Sequence, residues 1–304
     1  MKVTTIPFMA LRKIVAVISI TLILISIGSL VTKGLQFGLD FTGGTLVEVA
    51  YKEAPKLEDV RELLAESGYD DVVVQSFGSP TDIVVRLANS YTATLGDEVL
   101  TTLQDSGAAQ VSLQRSEFVG AQVGEELREQ GGLGMLLALI IVMLYVAVRF
   151  QFKFSVASVI ALTHDVIITL GFFSIFEVEF DLTVLAALLA VVGYSLNDTI
   201  VVCDRIRENF RIMRDTTPYD LINISINQTL GRTLITSLTT LFVLVVLFVA
   251  GGEAIHNFSM ALLVGIVIGT YSSIFVAANL LLALDVKRED LVPTPKEELE
   301  DDLP

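Results

Sequence analysis

The chain has 304 residues, 53% of them hydrophobic, and a net charge of −15 from 20 basic and 35 acidic side chains. Its mean hydropathy is +0.68, and its apolar share exceeds the roughly 45–50% of soluble domains. Residues 33–130 carry 7 basic and 17 acidic side chains and residues 285–304 carry 3 and 8, which accounts for the whole acidic excess and excludes the basic footprint that nucleic-acid binding needs.

Six apolar stretches reach the roughly 20 residues that a helix needs to cross a bilayer. The first, 12–32, follows a short N-terminal segment, 1–11, carrying Lys2, and opens on Arg12 and Lys13. Its apolar run is long for a signal peptide and no A-x-A cleavage site follows, so it reads as an uncleaved helix. Next comes Gly38-Leu39-Asp40-Phe41-Thr42-Gly43-Gly44. Adjacent glycines permit positive φ and close backbone approach, as a tight exit turn requires. No Lys-Ser/Thr follows Gly44, which argues against a phosphate loop.

Residues 33–131 read as an external domain. Thr45–Tyr51, Asp71–Phe77, Asp82–Leu87 and Ala109–Phe118 have strand character. Lys56–Ser67 places Leu57, Val60, Leu63 and Leu64 at helical spacing with Gly68 as C-cap, and 92–105 reads as a weaker helix. The order βαββαβ predicts a small α+β, ferredoxin-like domain.

Five more spans follow: 132–150, 155–176, 183–203, 231–251 and 258–284, then an acidic tail, 285–304. Lys and Arg alternate between loops. Arg149 and Lys153, then Arg205, Arg207, Arg211 and Arg214, and then Lys287 and Arg288 share a side with the N-terminus. The connections at 177–181 and 251–257 have no Lys or Arg. The positive-inside rule therefore predicts cytoplasmic termini and an outward-facing 33–131 domain.

Ionisable groups inside spans carry the functional signal, because an Asp there costs about 2.5–3.5 kcal/mol on insertion scales. Asn197 and Asp198 lie in the fourth span, with Asp198 about 9 Å from the charged end at Asp204. Arg232 enters the antiparallel fifth span from the same side, which predicts a similar depth. An Arg stays protonated and gates rather than carries a proton. Thr229, Thr233, Thr236 and Thr240 follow on Arg232's side. They can hold water or bond to the preceding turn's carbonyls. His164 and Asp165 lie about 14 Å into the third span and compete as relay or interhelix groups. Gly265, Gly269, Ser272 and Ser273 form a small-residue row that reads as close helix packing. The one cysteine, Cys203, excludes an internal disulfide and a Cys-rich metal site. With two histidines and no nucleophile motif or nucleotide loop, neither enzyme activity, a metal nor a cofactor is expected.

Several of these segments resemble one family. The stretch Gly38–Gly44 looks like the glycine motif after the first helix of SecD and SecF proteins, and Val119–Gly124 like their motif before the second helix. The run from Val192 through Asp198 to Asn209 is similar to the long SecF signature, and His164-Asp165 and Asn227–Thr233 also fit. The external domain is too short for SecD, so the SecF branch is the better match. The resemblance implies half of a resistance-nodulation-division-type bundle, completed by a SecD chain. It also implies proton-driven, late-stage export through the SecYEG channel, with Asp198 and Arg232 in proton conduction. The partners it implies are SecD, SecYEG, the translocating preprotein and accessory Sec membrane proteins such as YajC and YidC. Two alternatives stay open: a small-molecule or lipid exporter half of the same superfamily, and a non-energised assembly scaffold.

Overall fold

The structure, a computed structural model, describes residues 6–69, 72–87, 94–105 and 111–287. A 3-10 turn, Phe8–Leu11, leads into α1 (Arg12–Thr32). Then come β1 (Gln36–Phe37), the single turn α2 (Leu39–Thr42), β2 (Gly44–Tyr51), α3 (Leu57–Glu66), β3 (Val73–Phe77), β4 (Ser79–Leu87), α4 (Leu95–Asp105) and β5 (Val111–Val119). The remainder is α5 (Ala121–Arg149), α6 (Phe152–Ile175), β6 (Glu179–Phe180), α7 (Leu182–Ile212), α8 (Pro218–Ala250), α9 (His256–Tyr271), a π-helical turn (Ser272–Val276) and α10 (Ala277–Ala283). Among the described residues, six helical stretches are long and apolar enough to cross a membrane. Of the acidic tail predicted at 285–304, residues 288–304 lie outside the described residues.

The external sheet has the order β3-β4-β2-β5, every pair antiparallel. That is the ferredoxin-like arrangement. Alternation along β2 sends Val47, Val49 and Tyr51 to one face, where they pack with Val85, Leu64, Val99 and Leu103 beneath α3 and α4. Leu46 points to the opposite face, where it lines a cleft with Glu177, Glu179 and Asp181.

In the bundle, α6, α7 and α9 form the interior, while α1, α5 and α8 carry long rows of exposed apolar side chains. Glycine sets the close approaches inside. A methyl group at Gly265 would sit 2.2 Å from a Val191 methyl carbon, and one at Gly171 would sit 2.2 Å from Ser26 Oγ. Cys203 packs among Phe154, Ile206 and Phe210. Polar side chains cap the long helices: Asp181 Oδ1 accepts from the Val184 N–H at 2.8 Å, and Thr217 Oγ1 from the Asp220 N–H at 3.2 Å, with Pro218 in the first turn of α8.

Helix ends differ from the apolar stretches. Helix α5 starts at Ala121 rather than near 132, because Glu125, Glu126, Arg128 and Glu129 continue the helix beyond the apolar part. Helix α7 continues to Ile212, so Arg205, Arg207 and Arg211 stand on a helical extension rather than in a loop. Helix α8 starts at Pro218, thirteen residues before the apolar run. The sixth span is interrupted by the π turn.

Candidate functional site

Two carboxylates are buried in the bundle with unlike surroundings. Asp165, on α6, is 1% exposed. Its Oδ2 accepts from Ser195 Oγ of α7 at 2.6 Å and from Ser272 Oγ of the π turn at 2.7 Å, while its Oδ1 lies 2.8 Å from His164 Nδ1. The sequence leaves it open whether His164 and Asp165 face one place; the structure joins them directly. The His164 ring stacks on Tyr271, with centroids 6.2 Å apart, and its Nε2 is buried without a hydrogen-bond partner. Close approach matters here, because a methyl at Gly269 would lie 3.0 Å from Ser195 Cβ. The π turn, a feature frequent at functional sites, is where Ser272 meets Asp165 and Ser273 meets Thr199 at 3.0 Å.

Asp198, on α7, is 2% exposed. Its one hydrogen bond is long: Ser237 Oγ of α8 donates to Oδ2 at 3.4 Å. Ser237 also meets Thr270 Oγ1 of α9 at 2.7 Å. Arg232 is exposed and, among the described residues, forms no ion pair with Asp198. The two residues, predicted at similar depth, differ by about a turn and a half. Asp198 is level with Ser237, and Arg232 lies five residues earlier on α8, about 7 Å nearer the Arg-rich end. There Arg232 lines a cavity of about 330 Å³ with Asp204, Gln228 and Thr229.

The threonines of α8 divide. Thr236 and Thr240 donate to carbonyls of the preceding turn. Thr229 also bonds backward, to Ser225 O, yet lines the cavity. Thr233 Oγ1 is buried with no partner. Residues 229, 233 and 237 therefore form a row of hydroxyls, about 6 Å apart along the helix, leading from the cavity to Asp198. Ser237, Thr270, Ser195 and Ser272 complete the two sites and were not singled out by sequence as ligands. Spacing alone offered a signal for Ser237, four residues after Thr233. Asn197 lies on the exposed side of α7, apart from this network. Gly193, Arg232 and Thr239 are exposed as well.

The glycine turn joins the domain to the bundle. Gly38 N–H donates to Phe180 O at 2.9 Å, beside the parallel pairing of β1 with β6. Asp40 Oδ2 accepts from the Leu182 N–H at 3.0 Å, at the first residue of α7. Gly43 and Gly44 have φ of 68° and 116°. A methyl on Gly43 would lie 2.5 Å from Ala121 Cα, and one on Gly44 2.6 Å from Leu87 O. The turn thus wedges against the start of α5 and the end of β4. Nearby, Arg86 of β4 ion-pairs with Glu179 of β6, and Lys33 pairs with Glu177 at 2.7 Å, which lowers the Glu177 pKa.

Fold and site together define a polytopic membrane protein with buried intramembrane carboxylates and a ferredoxin-like external domain. Residues 98–287 match the family model described as Protein export membrane protein SecD/SecF, C-terminal, and residues 28–55 match the SecD/SecF GG motif. The chain belongs to the SecD/SecF family of protein-export membrane proteins. It is 51% identical to the protein translocase subunit SecF of Pseudomonas aeruginosa over 100% of this chain and 99% of that one. It is 52% identical to that of Vibrio alginolyticus over 95% and 93%, and 46% identical to that of Escherichia coli O157:H7 over 86% and 82%. The crystal structure of SecDF, a translocon-associated membrane protein from Thermus thermophilus, superposes with a TM-score of 0.86 at 37% identity, covering 94% of this chain and 39% of that chain. A second structure, SecDF in a super-membrane-facing form, gives a TM-score of 0.69 at 38% identity over 92% and 39%. The chain thus spans about two fifths of the length of those SecDF chains.

Proposed function

We propose that the chain is the SecF-type subunit of the Sec protein-export machinery. With a SecD chain it couples proton movement through its bundle to the late passage of secreted polypeptides through the SecYEG channel. It resides in the bacterial cytoplasmic (inner) membrane with both termini in the cytoplasm, as the Lys and Arg distribution supports.

The contrast between the two carboxylates carries this reading. Asp165 accepts from the Ser195 and Ser272 hydroxyls on one oxygen and lies against His164 Nδ1 with the other, so both of its oxygens are engaged. Asp198 has one long hydroxyl bond and spare acceptor positions. A proton loads and leaves there with little rearrangement. Thr229, Thr233 and Ser237 supply stations for water between the cavity at Arg232 and Asp198. Arg232 stays charged and lines the cavity from which that row of hydroxyls leads.

The open flank supports a SecD partner. Asn197, Arg232 and Thr239 are exposed at membrane depth, where polar groups seldom face lipid. A second bundle covering them and offering an acceptor to the Arg232 guanidinium resolves that cost. The bundle also has too little external mass, in one small domain, for the exporter alternative.

The test is preprotein translocation into inverted membrane vesicles containing this chain with SecD, with and without a proton gradient. Asp198→Asn is expected to abolish the gradient-dependent part while co-purification with SecD persists. Unchanged gradient dependence in Asp198→Asn would favour the scaffold reading.

A further inference from the structure

A groove of about 680 Å³ opens on the flank where α1 and α10 meet α6, away from the polar flank of α7 and α8. Its walls are apolar, from Val15, Ile20, Ile160, Ile167 and Leu280. Its lysine and arginine stand at one end, where Arg12 and Lys13 begin α1. Among the described residues neither cation has a carboxylate partner; Arg12 lies 5.4 Å over the Tyr219 ring. The groove extends along α1 from Arg12 to Ile23, about 16 Å at 1.5 Å per residue. That is the depth of one leaflet, half of a hydrocarbon core of about 30 Å. Midway along α6, His164 forms part of the wall, with Nδ1 on Asp165 and Nε2 unpartnered.

We propose that this groove is a binding site for an anionic phospholipid of the leaflet on the Arg12 side. One molecule would meet two cations that have no carboxylate partner among the described residues and an apolar channel one leaflet deep. A phospholipid with a net negative headgroup and a long acyl chain has that distribution, and basic pockets between membrane helices recognise such headgroups. A zwitterionic lipid fills the walls but leaves the cations without net countercharge. A bound acyl chain also covers the His164 wall, keeping water from reaching the His164–Asp165 pair from this flank.

The chain contains no tryptophan, so one reporter reads one place. Ile20→Trp marks the groove, and Val246→Trp, at an exposed position on α8, marks ordinary lipid contact. The full chain is reconstituted in phosphatidylcholine vesicles with brominated phosphatidylglycerol or brominated phosphatidylcholine as quencher. Phosphatidylglycerol is expected to be preferred at Ile20→Trp by about fivefold for each cation that reaches its headgroup, and hardly at all at Val246→Trp. Arg12→Gln with Lys13→Gln is expected to bring the groove preference near one. Because those changes also alter topology signals, Ala16→Phe provides a second arm. It keeps both charges, fills the groove and is expected to reduce quenching by phosphatidylglycerol. Equal preference at the two reporters, or an unchanged preference in both groove variants, would overturn the proposal. So would a groove reporter that neither lipid quenches, since protein would then occupy the groove.

Discussion

Replacing Gly43 by Ala tests whether the glycine turn is a wedge or merely a flexible exit. Gly34 and Gly43 have nearly the same φ, 74° and 68°. A methyl at Gly34 meets nothing within 4 Å, whereas at Gly43 it would lie 2.5 Å from Ala121 Cα and 2.8 Å from Ala121 N. Those are backbone atoms at the start of α5 and do not rotate away. Gly34→Ala therefore incurs only the left-handed backbone cost, about 1–2 kcal/mol. Gly43 also has ψ of 178°, in a region that is almost glycine-only and costs other residues about 1–3 kcal/mol. Overpacking adds about 1–3 kcal/mol, for a sum of about 2–6 kcal/mol. The readout is amide hydrogen exchange of the full chain in nanodiscs, at the Gly38 and residue-43 amides that donate to Phe180 O and Leu39 O. Gly43→Ala is expected to accelerate exchange there by about thirtyfold or more, since 1.4 kcal/mol is tenfold. Gly34→Ala should leave these amides close to wild type. Equal effects would show that only φ is demanded and that docking on α5 is not the constraint.

Four further outcomes follow from the same geometry. Asp165→Asn removes an acceptor from the network with Ser195, Ser272 and His164 and is expected to cost about 1–3 kcal/mol, whereas Asp198→Asn, losing one 3.4 Å bond, should leave the thermal unfolding of the solubilised complex nearly unchanged. A methyl carbon at Gly193 meets nothing within 4 Å, so Gly193→Leu should leave the chain's own melting nearly intact while reducing co-purification with SecD; retained co-purification would place the partner elsewhere. Burial raises the Tyr51 phenol from 10.0 to about 12, so the folded domain holds that proton longer than the unfolded chain does. The associated stability is present below pH 10 and is lost as pH rises toward about 12; circular dichroism melts should show this alkaline loss, and Tyr51→Phe should remove it. Asp40→Ala removes the acceptor for the Leu182 N–H and should cost about 1 kcal/mol at the start of α7, read as faster amide exchange confined to its first turn.

The external domain was legible because period-2 strands, period-3.6 helices and glycine turns are local signals, and the strand order followed from the element order. The spans were legible because hydropathy needs no tertiary context. What was missed is tertiary. The extensions of α5 and α8 are helical without being apolar, so a hydropathy reading stops short of them. Ser272 reads as a small packing residue until the π turn aims its hydroxyl at Asp165. Asn197 and Asp198 are adjacent in sequence, yet about 100° separates them around the helix; only the assembled bundle shows that Asp198 faces inward and Asn197 outward. The two-residue pairing of β1 with β6 is too short for any sequence pattern to announce.

The joint at the glycine turn and the weak bond at Asp198 belong to one mechanical path. Helix α7 runs unbroken from Leu182 to Ile212. Its first turn is held by Asp40, from the glycine turn, and by Asp181, while Glu179 ties the preceding strand to Arg86 of the external sheet. Asp198 lies sixteen residues along the same helix, about 24 Å from its start. A continuous helix carries a shift at its end along its length. Between the two carboxylate sites, such a shift acts on unequal bonds: the Ser195 and Ser272 hydroxyls hold Asp165 at 2.6 and 2.7 Å, whereas Ser237 holds Asp198 at 3.4 Å. The longer bond yields first. Under the proposed function, a shift of the external domain would reach the single 3.4 Å bond at Asp198 before the two shorter bonds at Asp165, which would link domain motion to proton occupancy at the under-bonded carboxylate.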